Sequence, residues 1–596
     1  MKRISFFTFT ALLLAPLAGL LGAETATSHP SLAPLTPWRA PVWDDYVRNG
    51  PTGQNLPDFS KAGYHSSKNP ISNHSVTNVS VADSGAIPDD GKDDVAAIQA
   101  AIHAVEKKGG GIVYFPPGVY DLNFTPFSSD LSFDRKQYGL VVTRSGVVLR
   151  GAGSGPMGTV LRQHNTLLMT PSGGGEGMAL VRFMGSGKTG KRVPITADVK
   201  RGECLLTVEN SALFKAGQIV KLTLVDPAVD AAKPSPEKAD LTRALVEPFI
   251  LHDALVDYLR TGARGGIMAL LEIEAIVSPT RIRLTQPLRI DLFTRWQPTL
   301  CTFETLSEVG IEGIRFESDW KGGYSHHKPF PIDATGGDYV KGGPGILRSA
   351  QEQNYAWSAL SFSYVSDGWG RDLSTYNYTQ DIGLNQCKFM TFEHIQITGQ
   401  KGHTGITVSR SFDNLIRDVT ITAPRVHTFF VAGFSSGNVF IRSKFLYGPF
   451  DKESGCDTCL DFHGYAPYEN LYDTIENAYV YPGGALGYLP HAGVRNVFWN
   501  IIAPPQMLRG GNNGEFFRTY ALTSSRKPLS AHEHWPKSFL IGVHRKGSKI
   551  TVNGQDADRA DEWLTIQGLN RPGVVPESLY EAQVSSNKKQ ESKSLK

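Results

Sequence analysis

Hydrophobic residues recur at helical spacing over residues 95–107, directly after two aspartates that can cap a helix. A glycine run over residues 109–111 is expected to end this helix. Short apolar runs follow over residues 112–115 and 146–149, and each predicts a buried strand. The apolar stripe of the helix comprises Ile98, Ile102 and Val105. The pattern therefore predicts a helix packed at the beginning of a β-rich region.

From about residue 305 the chain repeats an octet of alternating apolar and polar positions. The octets begin at residues 309, 367, 390, 414, 438, 470 and 496, so consecutive starts differ by 58, 23, 24, 24, 32 and 26 residues. A unit of this length made of short strands cannot bury its own apolar side, but units that stack in parallel can. Four octets begin with an asparagine, and these side chains are expected to stack at one turn: Asn414, Asn438, Asn470 and Asn496. The repeat predicts a parallel β-helix.

Other segments depart from this repeat. Residues 190–295 alternate like longer antiparallel strands, with one helix over residues 238–262, so we expect a small β-rich domain inserted into the solenoid. Residues 24–75 are rich in Pro, Ser, Asn and His and are expected to form an extended arm. The remaining predicted segments are the start of the β-helix over 76–185, its main coils over 300–535, a closing segment over 536–583 and a disordered tail over 584–596.

The N-terminus has the layout of a secretory signal peptide over residues 1–23. A basic start is followed by an apolar run over residues 4–21 and by small residues up to Ala23. Pro16 inside the run and the polar stretch after it favour cleavage, with a membrane anchor as the alternative. We expect a periplasmic or secreted protein with no membrane segment in its mature form.

Composition narrows the possible partners. The 596 residues include 60 Lys and Arg against 57 Asp and Glu, a net charge of +3, which excludes the electrostatic signature of a nucleic-acid-binding protein. The 40% of hydrophobic residues excludes disorder for most of the chain. The five cysteines are too few for a disulfide scaffold. Cys456 and Cys459 form a single C-x-x-C motif, which lacks the further ligands of a zinc site and leaves a local disulfide or two thiols as the alternatives.

The segment SVADSGAIPDDGKDDVAAIQAAI, continued by GGGIVYFPPGVY, resembles the opening of the pectate-lyase-like superfamily of right-handed parallel β-helix proteins. Rhamnogalacturonase-type, epimerase-type and phage tail-spike members belong to that superfamily. The resemblance covers residues 79–122 and is supported by the coil repeat over residues 305–505. It implies an all-β solenoid, a right-handed parallel β-helix, and a polysaccharide substrate cleaved by β-elimination or hydrolysis. The Asp pair and the R-I-K motif of pectin-hydrolysing members are missing from the central coils.

Histidines in the central coils are the main candidates for catalysis. His403 and His427 each precede the asparagine of their own coil by 11 residues, so we expect them to stack on adjacent coils about 4.8 Å apart. Asp461 and His463, two residues apart in the next coil, should point the same way and flank the same site. One histidine would act as base and Asp461 would orient it. Replacement of His427 by Ala is expected to remove activity and spare stability. The alternative is a structural ladder of histidines.

Further candidates surround these coils. A loop over residues 451–459 lengthens one coil and carries Asp451 and Glu453, which could serve acid/base hydrolysis or bind Ca²⁺; no cofactor is certain, and a solvated turn is the alternative. Arg425, and after it Arg410, are candidates to neutralise an acidic sugar. Trp357 belongs to an aromatic stretch that includes His326 and His327, and it either walls a groove or packs in the core.

The candidates favour an enzyme that cuts an acidic polysaccharide. A lyase is favoured because the coils supply a base and cations, which β-elimination requires. A glycoside hydrolase with paired carboxylates is the first alternative, and a non-catalytic polysaccharide-binding solenoid is the second. The sugar, the linkage and the oligomeric state are left open by the sequence.

Overall fold

The computed structural model describes residues 36–71, 78–122, 139–164, 179–225, 239–263, 267–322, 324, 357–446, 459–481, 483, 490–505, 515–517 and 531–594. The proposed signal peptide, Asp451, Glu453, Cys456, His326 and His327 lie outside these residues. No helix within the described ranges is long and apolar enough to cross a membrane.

One face of the solenoid, as far as the described residues show it, is an eight-stranded sheet in which every pair of neighbours is parallel. Each of its strands comes from a successive coil, which is the topology expected of stacked units that bury a shared apolar side. The strands are Leu140–Val142, Val181–Met184, Ser358–Ser363, Gln380–Asn385, Gly402–Ser409, Arg425–Ala432, Cys459–Phe462 and Tyr479–Tyr481.

The second face is a sixteen-stranded sheet within the described ranges, parallel except for one terminal pair. Its first strands are Asn78–Ser80, Gly111–Tyr114, Gly118–Leu122, Val147–Arg150, Thr159–Gln163, Gly310–Ser318, Trp369–Tyr376 and Thr391–Thr398. The others are Leu415–Ile421, Val439–Ile441, Lys444–Phe445, Leu471–Asp473, Val497–Trp499, Ser538–Ile541, Arg559–Ala560 and Leu564–Gln567. Its last strands carry the coils into the predicted closing segment.

The apolar core lies between the two faces and is continuous along the axis. Aromatic rings from successive coils stack in register inside it. Phe440, Tyr472 and Phe498 form one such stack, with centroid separations of 4.9 and 5.5 Å. Because each coil contributes one layer to the same core, the coils share their stability with their neighbours.

The predicted asparagine ladder is confirmed. Asn414 donates its side-chain amide to Asn438 (2.7 Å), Asn438 donates to Asn470 (2.9 Å), and Asn470 donates to Asn496 (3.2 Å). All four side chains are fully buried. Each follows a residue with positive φ, such as Asp413 at 54°, so the amides supply hydrogen bonds where the chain turns a corner.

Replacement of Asn438 by Ala is expected to destabilise the solenoid by about 1–3 kcal/mol, because the buried side-chain amide of Asn414 loses its acceptor. Urea unfolding followed by circular dichroism measures the loss. Gln396→Ala, at an exposed position of the long sheet, is the control. Equal unfolding midpoints for the two variants would show that the ladder contributes little.

The capping helix runs from Val95 to Lys107, as predicted, and its stripe residues Ile98, Ile102 and Val105 are fully buried. The two aspartates predicted to cap the helix have different hydrogen-bond partners. Asp93, not Asp94, accepts a hydrogen bond from the Val95 amide, whereas Asp94 accepts from the Ile87 amide and so fixes the preceding loop.

The described residues of the insert form a six-stranded antiparallel sheet of Val193–Pro194, Leu205–Thr207, Ile219–Leu224, Ile267–Ser278, Arg281–Leu284 and Thr299–Thr302. Its last strand lies beyond residue 295. The single helix expected over residues 238–262 is wrong: two helices, Asp240–Val246 and Asp253–Ala263, flank Pro248, which cannot donate a helical hydrogen bond. The insert shares an apolar cluster with Phe434 and Tyr468 of the coils.

The described part of the N-terminal arm and the C-terminal helix pack on the long sheet. The arm is not simply extended, because Pro41–Asn49 is helical and buries Trp43 and Tyr46. Strand Trp38–Arg39 pairs with Val574–Val575. The prediction of a disordered tail over residues 584–596 is also wrong for residues up to Ser594, because these residues belong to helix Leu579–Ser594. Short 3₁₀ helices occur at Tyr64–Ser67, Val81–Ser84, Thr294–Trp296 and Ala531–His534. Buried Gln583 holds the C-terminal helix by hydrogen bonds to Phe59 and Pro57 of the arm.

Candidate functional site

Three of the four predicted catalytic residues meet on the eight-stranded sheet. Nδ1 of His427 contacts Oδ2 of Asp461, and Nδ1 of His463 lies 3.3 Å from Oδ1 of the same carboxylate. The two imidazole rings are 4.7 Å apart and nearly perpendicular. A single carboxylate therefore holds two histidines by the same ring nitrogen, which directs each Nε2 away from Asp461.

Burial and charge set the state of this cluster. The Asp461 side chain is fully buried, His427 is 5% exposed and His463 is 30% exposed. Burial alone would raise the pKa of Asp461, but the facing imidazoles outweigh it and hold the pKa well below its usual range. Asp461 is therefore an anion at any working pH. His463 is the member of the cluster that solvent, and hence a ligand, reaches most easily.

A local irregularity brings His427 to this position. His427 and Phe430 are three residues apart, yet both rings contact that of His463, with centroid separations of 4.7 and 4.6 Å. Side chains on a regular strand alternate, so the alternation is broken between them. The strand register is the same on both sides of Thr428 and Gly405, so no residue is inserted, and a Cβ on Gly405 would stand 2.5 Å from the Thr428 carbonyl oxygen. Glycine at 405 therefore leaves space for the Thr428 backbone.

His403 lies beside the cluster, but its predicted register is wrong by one residue. Thr404, not His403, pairs with His427, and the His403 and His427 rings are 5.0 Å apart. The corner after Ala432 contains one residue more than the corner after Ser409, because Ser409 pairs with Ala432 whereas Phe412 pairs with Ser436. Counting back from the asparagines crosses that extra residue, which shifts the expected pairing.

Arg425 does not face a ligand site, which corrects its predicted role. Its side chain is fully buried, and its guanidinium binds both carboxylate oxygens of Asp381, at 2.8 and 3.3 Å. Its remaining donors reach the carbonyl oxygens of Gln400 (2.8 Å) and Pro424 (3.0 Å). A guanidinium with this set of partners holds adjacent coils together and is not available to a sugar carboxylate.

Two further candidates fall away from the cluster. Arg410 lies six positions after Thr404, which pairs with His427. Six positions correspond to roughly 20 Å along a strand, at about 3.3 Å per residue. Trp357 is 3% exposed and belongs to the central apolar cluster, so its ring is a core group and not a groove wall. Tyr324 and Trp320 are buried with it.

The donor set of the cluster does not suit Ca²⁺. Within the described ranges, His427, Asp461 and His463 are the one group of three or more His, Cys, Asp or Glu side chains close enough to share an ion. Calcium takes six to eight oxygen ligands. Two imidazoles and one carboxylate are instead the donors that a transition metal prefers. The cluster therefore gives no support for the calcium expected from the loop carboxylates.

Gly483 closes the site from the next coil, although no pattern in the sequence points to it. A Cβ at this position would stand 2.6 Å from Nδ1 of His463 and closer still to Oδ1 of Asp461. The glycine is required by space, since no positive φ is recorded there. Only the pairing of Asp461 with Tyr481, a spacing of 20 residues, aligns Gly483 with His463. That spacing differs from the other coils, so no count along the sequence would find it.

Replacement of Gly483 by Ala is expected to lower the activity proposed below on the order of 10²-fold, because the added methyl displaces the Asp461 carboxylate and the His463 ring. Gly383→Ala, on the same sheet, is the matched control, since its Cβ would meet nothing nearer than 3.9 Å. Thermal unfolding of both variants separates a local displacement from loss of the fold. Equal activity of the two variants would show that the site tolerates a side chain at 483.

The insert borders the cluster on one side. Tyr258, on helix Asp253–Ala263, stacks on Tyr465 with ring centroids 4.4 Å apart, two residues from His463. A Cβ on the intervening Gly464 would collide with the Tyr258 hydroxyl. The insert therefore contributes a wall next to His463.

Two protein families match different parts of the chain. Residues 78–160 match a family described as rhamnogalacturonase A/epimerase, pectate lyase-like. Residues 425–591 match a domain family of unknown function, DUF4955, and His427, Asp461 and His463 all lie inside this second match. The match at the start of the solenoid agrees with the resemblance identified in the sequence.

Curated relatives and solved structures are similar over limited parts. Mannuronan C5-epimerase AlgE6 of Azotobacter vinelandii is 44% identical over 75 residues, which is 13% of this chain and 8% of the relative. Alginate lyase 7 of the same organism is 43% identical over 75 residues, with the same coverage of both chains. The tailspike protein gp49 of Pseudomonas phage LKA1 has a TM-score of 0.47 at 14% identity, over 78% of this chain and 64% of that one.

The stacked parallel coils and the capping helix agree with what the family match at residues 78–160 implies. Together they make the chain similar to the pectate-lyase-like β-helix superfamily in its stacked parallel coils and, over residues 78–160, in its sequence.

Proposed function

We propose that this protein cleaves an acidic polysaccharide by β-elimination at the cluster of His427, Asp461 and His463. The observation that carries the proposal is the buried carboxylate of Asp461 shared by Nδ1 of two histidines. Each histidine donates an N–H to the carboxylate, so the Nε2 of a neutral ring carries the lone pair of a general base. The site thereby offers one base and, in the second ring when protonated, one acid.

In the proposed reaction, Nε2 of His463 takes the proton from C5 of a uronate. The electron pair of that C–H bond forms the C4–C5 double bond as the C4–O4 bond breaks. The departing oxygen takes a proton from the protonated imidazole of His427 or from water. The anionic Asp461 stabilises the positive charge that His463 acquires, as a carboxylate does for a catalytic histidine in general. His463 is given the base role because it is the more exposed ring.

A C5-epimerase is the second candidate, favoured by the similarity to mannuronan C5-epimerase AlgE6. Epimerisation also begins with removal of the C5 proton, but a proton returns to the opposite face and the glycosidic bond stays intact. A hydrolase is less favoured because it needs two carboxylates about 5–9.5 Å apart. Among the described residues, Asp461 is the sole carboxylate of the cluster.

A panel of polymers tests the proposal, including mannuronan, polygalacturonate and a neutral glucan as control. A lyase produces the ultraviolet absorbance of an unsaturated uronate, and a hydrolase produces reducing ends without it. An epimerase changes the proton NMR spectrum of the polymer without shortening it. Absence of all three changes on every acidic polymer would contradict the enzymatic proposals and favour a protein that binds polysaccharide without cleaving it. An exported location, proposed from residues 1–23, would bring the enzyme to such polymers.

A further inference from the structure

A cleft of about 330 Å³ lies at the turns that lead into the eight-stranded sheet. It is separate from the histidine cluster and was not anticipated from the sequence. Two strand ends of the long sheet form its floor, those of Gly310–Ser318 and Trp369–Tyr376. The groups that line it include Arg162, Glu317, Asp319, Lys321, Tyr376 and Gln400.

Tyr376 presents an aromatic face in this cleft. It is 39% exposed, which is unusual for a large ring on a solenoid whose other aromatic stacks are buried. The Arg315 guanidinium lies 5.3 Å from the ring centroid and donates a hydrogen bond of 2.6 Å to Glu317. The ring is thus supported in place by charged neighbours, while its exposed face can stack on the apolar face of a sugar.

Polar groups around Tyr376 are suited to an anionic sugar. Lys321 is exposed and has no hydrogen bond or ion pair with any other part of the chain that the structure describes. Its ammonium can therefore bind a carboxylate without breaking an existing pair. The Asp319 side chain is 40% exposed, and its Oδ2 lies 2.6 Å from Nδ1 of His164, which leaves Oδ1 to accept from a sugar hydroxyl.

The cleft lies on coils that run directly into the histidine cluster. Tyr376 pairs with Thr398 of the next coil. That next coil continues through Gln400 to His403. The carbonyl of Gln400 accepts from Arg425, which is two residues before His427. From the coil of Tyr376 to that of Asp461 there are three coil spacings, about 14 Å along the axis at about 4.8 Å each. A short oligosaccharide covers this axial distance, and it must also cross the turn between Tyr376 and strand Gln380–Asn385.

We propose that this cleft is a distal subsite that binds an anionic sugar unit of the same polymer, with Tyr376 as the stacking face and Lys321 as the carboxylate partner. The inference rests on the proposed function for the identity of the polymer. It adds that the enzyme recognises chain length, since only an oligomer that reaches both places gains both sets of contacts.

Full-length Tyr376→Ala and Lys321→Ala test the subsite with oligomers of mannuronate and galacturonate of graded length. We expect KM to rise about 2- to 10-fold for long oligomers, the range of an aromatic contact, with kcat unchanged. No change is expected for dimers and trimers. Tyr376→Phe should behave as wild type because it keeps the ring. Lys215→Ala, at an exposed position of the insert, is the control for loss of a surface charge.

Titration calorimetry on His463→Ala, with and without Tyr376→Ala, separates the two proposals. Weaker binding of a long oligomer in the double variant supports the subsite, whether or not the wild type turns the polymer over. Unchanged binding and unchanged KM in both subsite variants would overturn the inference, even if turnover by the wild type confirms the lyase.

Discussion

His463→Ala is expected to lower turnover of the acidic polymer by about 10²–10⁴-fold, the usual cost of removing a general base. The melting temperature should stay close to that of the wild type. His463 is 30% exposed, and its contact with Asp461 is the longer of the two, so its loss leaves the buried carboxylate with His427. Rates measured by the absorbance of the unsaturated product, alongside thermal unfolding, check both expectations.

The control is His394→Ala, which removes a histidine of similar setting away from the site. His394 is 60% exposed and faces Asp372 at 3.5 Å on the long sheet. We expect full activity from this variant. His463→Ala activity within a factor of two of the His394→Ala value would remove His463 from the mechanism.

The pH profile gives a second check. Because the neighbouring imidazoles hold the pKa of Asp461 well below its usual range, this carboxylate does not titrate between pH 5 and 8. A limb of the kcat/KM profile in that range would therefore not come from Asp461.

His427→Ala is a less clean test than the sequence suggested. His427 is 5% exposed and contacts fully buried Asp461, so its removal takes away a partner of a buried charge. Stability is expected to fall together with activity. His427→Ala is therefore not expected to spare stability, and His463→Ala is the better test of the site.

Arg425→Ala is expected to destabilise the protein by about 3–5 kcal/mol, the cost of removing one partner of a buried ion pair. Arg425 and Asp381 are both fully buried, and the guanidinium holds two carboxylate oxygens and two backbone carbonyls from adjacent turns. Urea unfolding measures the loss. Activity per folded molecule should change little in comparison, because Arg425 does not reach the site.

The loss should grow with pH. Burial already raises the pKa of Asp381 against the pull of Arg425, and removal of Arg425 raises it further. A folded-state pKa above the unfolded value contributes stability that is lost as pH rises through the folded pKa. The variant should therefore be more stable near pH 5 than near pH 8, relative to wild type.

The double variant Arg425→Met with Asp381→Leu is the companion experiment. Replacing both charges by apolar side chains removes the unpaired charge, so much of the lost stability should return. If Arg425→Ala instead keeps its stability and loses affinity for the polymer, the arginine binds substrate and the role expected from the sequence is restored.

The features that could be predicted from the sequence are those that repeat or are local. Helix Val95–Lys107 follows from one apolar stripe between aspartates and glycines. The asparagine ladder follows from a spacing of 24 to 32 residues, because each coil must return to the same corner. His427 and Asp461 could be assigned to neighbouring coils for the same reason. The coil period alone carries that information.

What the tertiary structure decided is the direction of each side chain. One extra residue in the corner after Ala432 moved the pairing of His403, and a break in side-chain alternation placed the rings of His427 and Phe430 on the same side, against His463. The Arg425 side chain points inward because it pairs with buried Asp381. The Trp357 side chain points inward because it packs in the apolar core. Gly483 faces His463 only because one coil advances by 20 residues. A strand presents alternate faces, so a shift of one residue exchanges core and surface, and the sequence pattern places a residue on a coil without specifying its face.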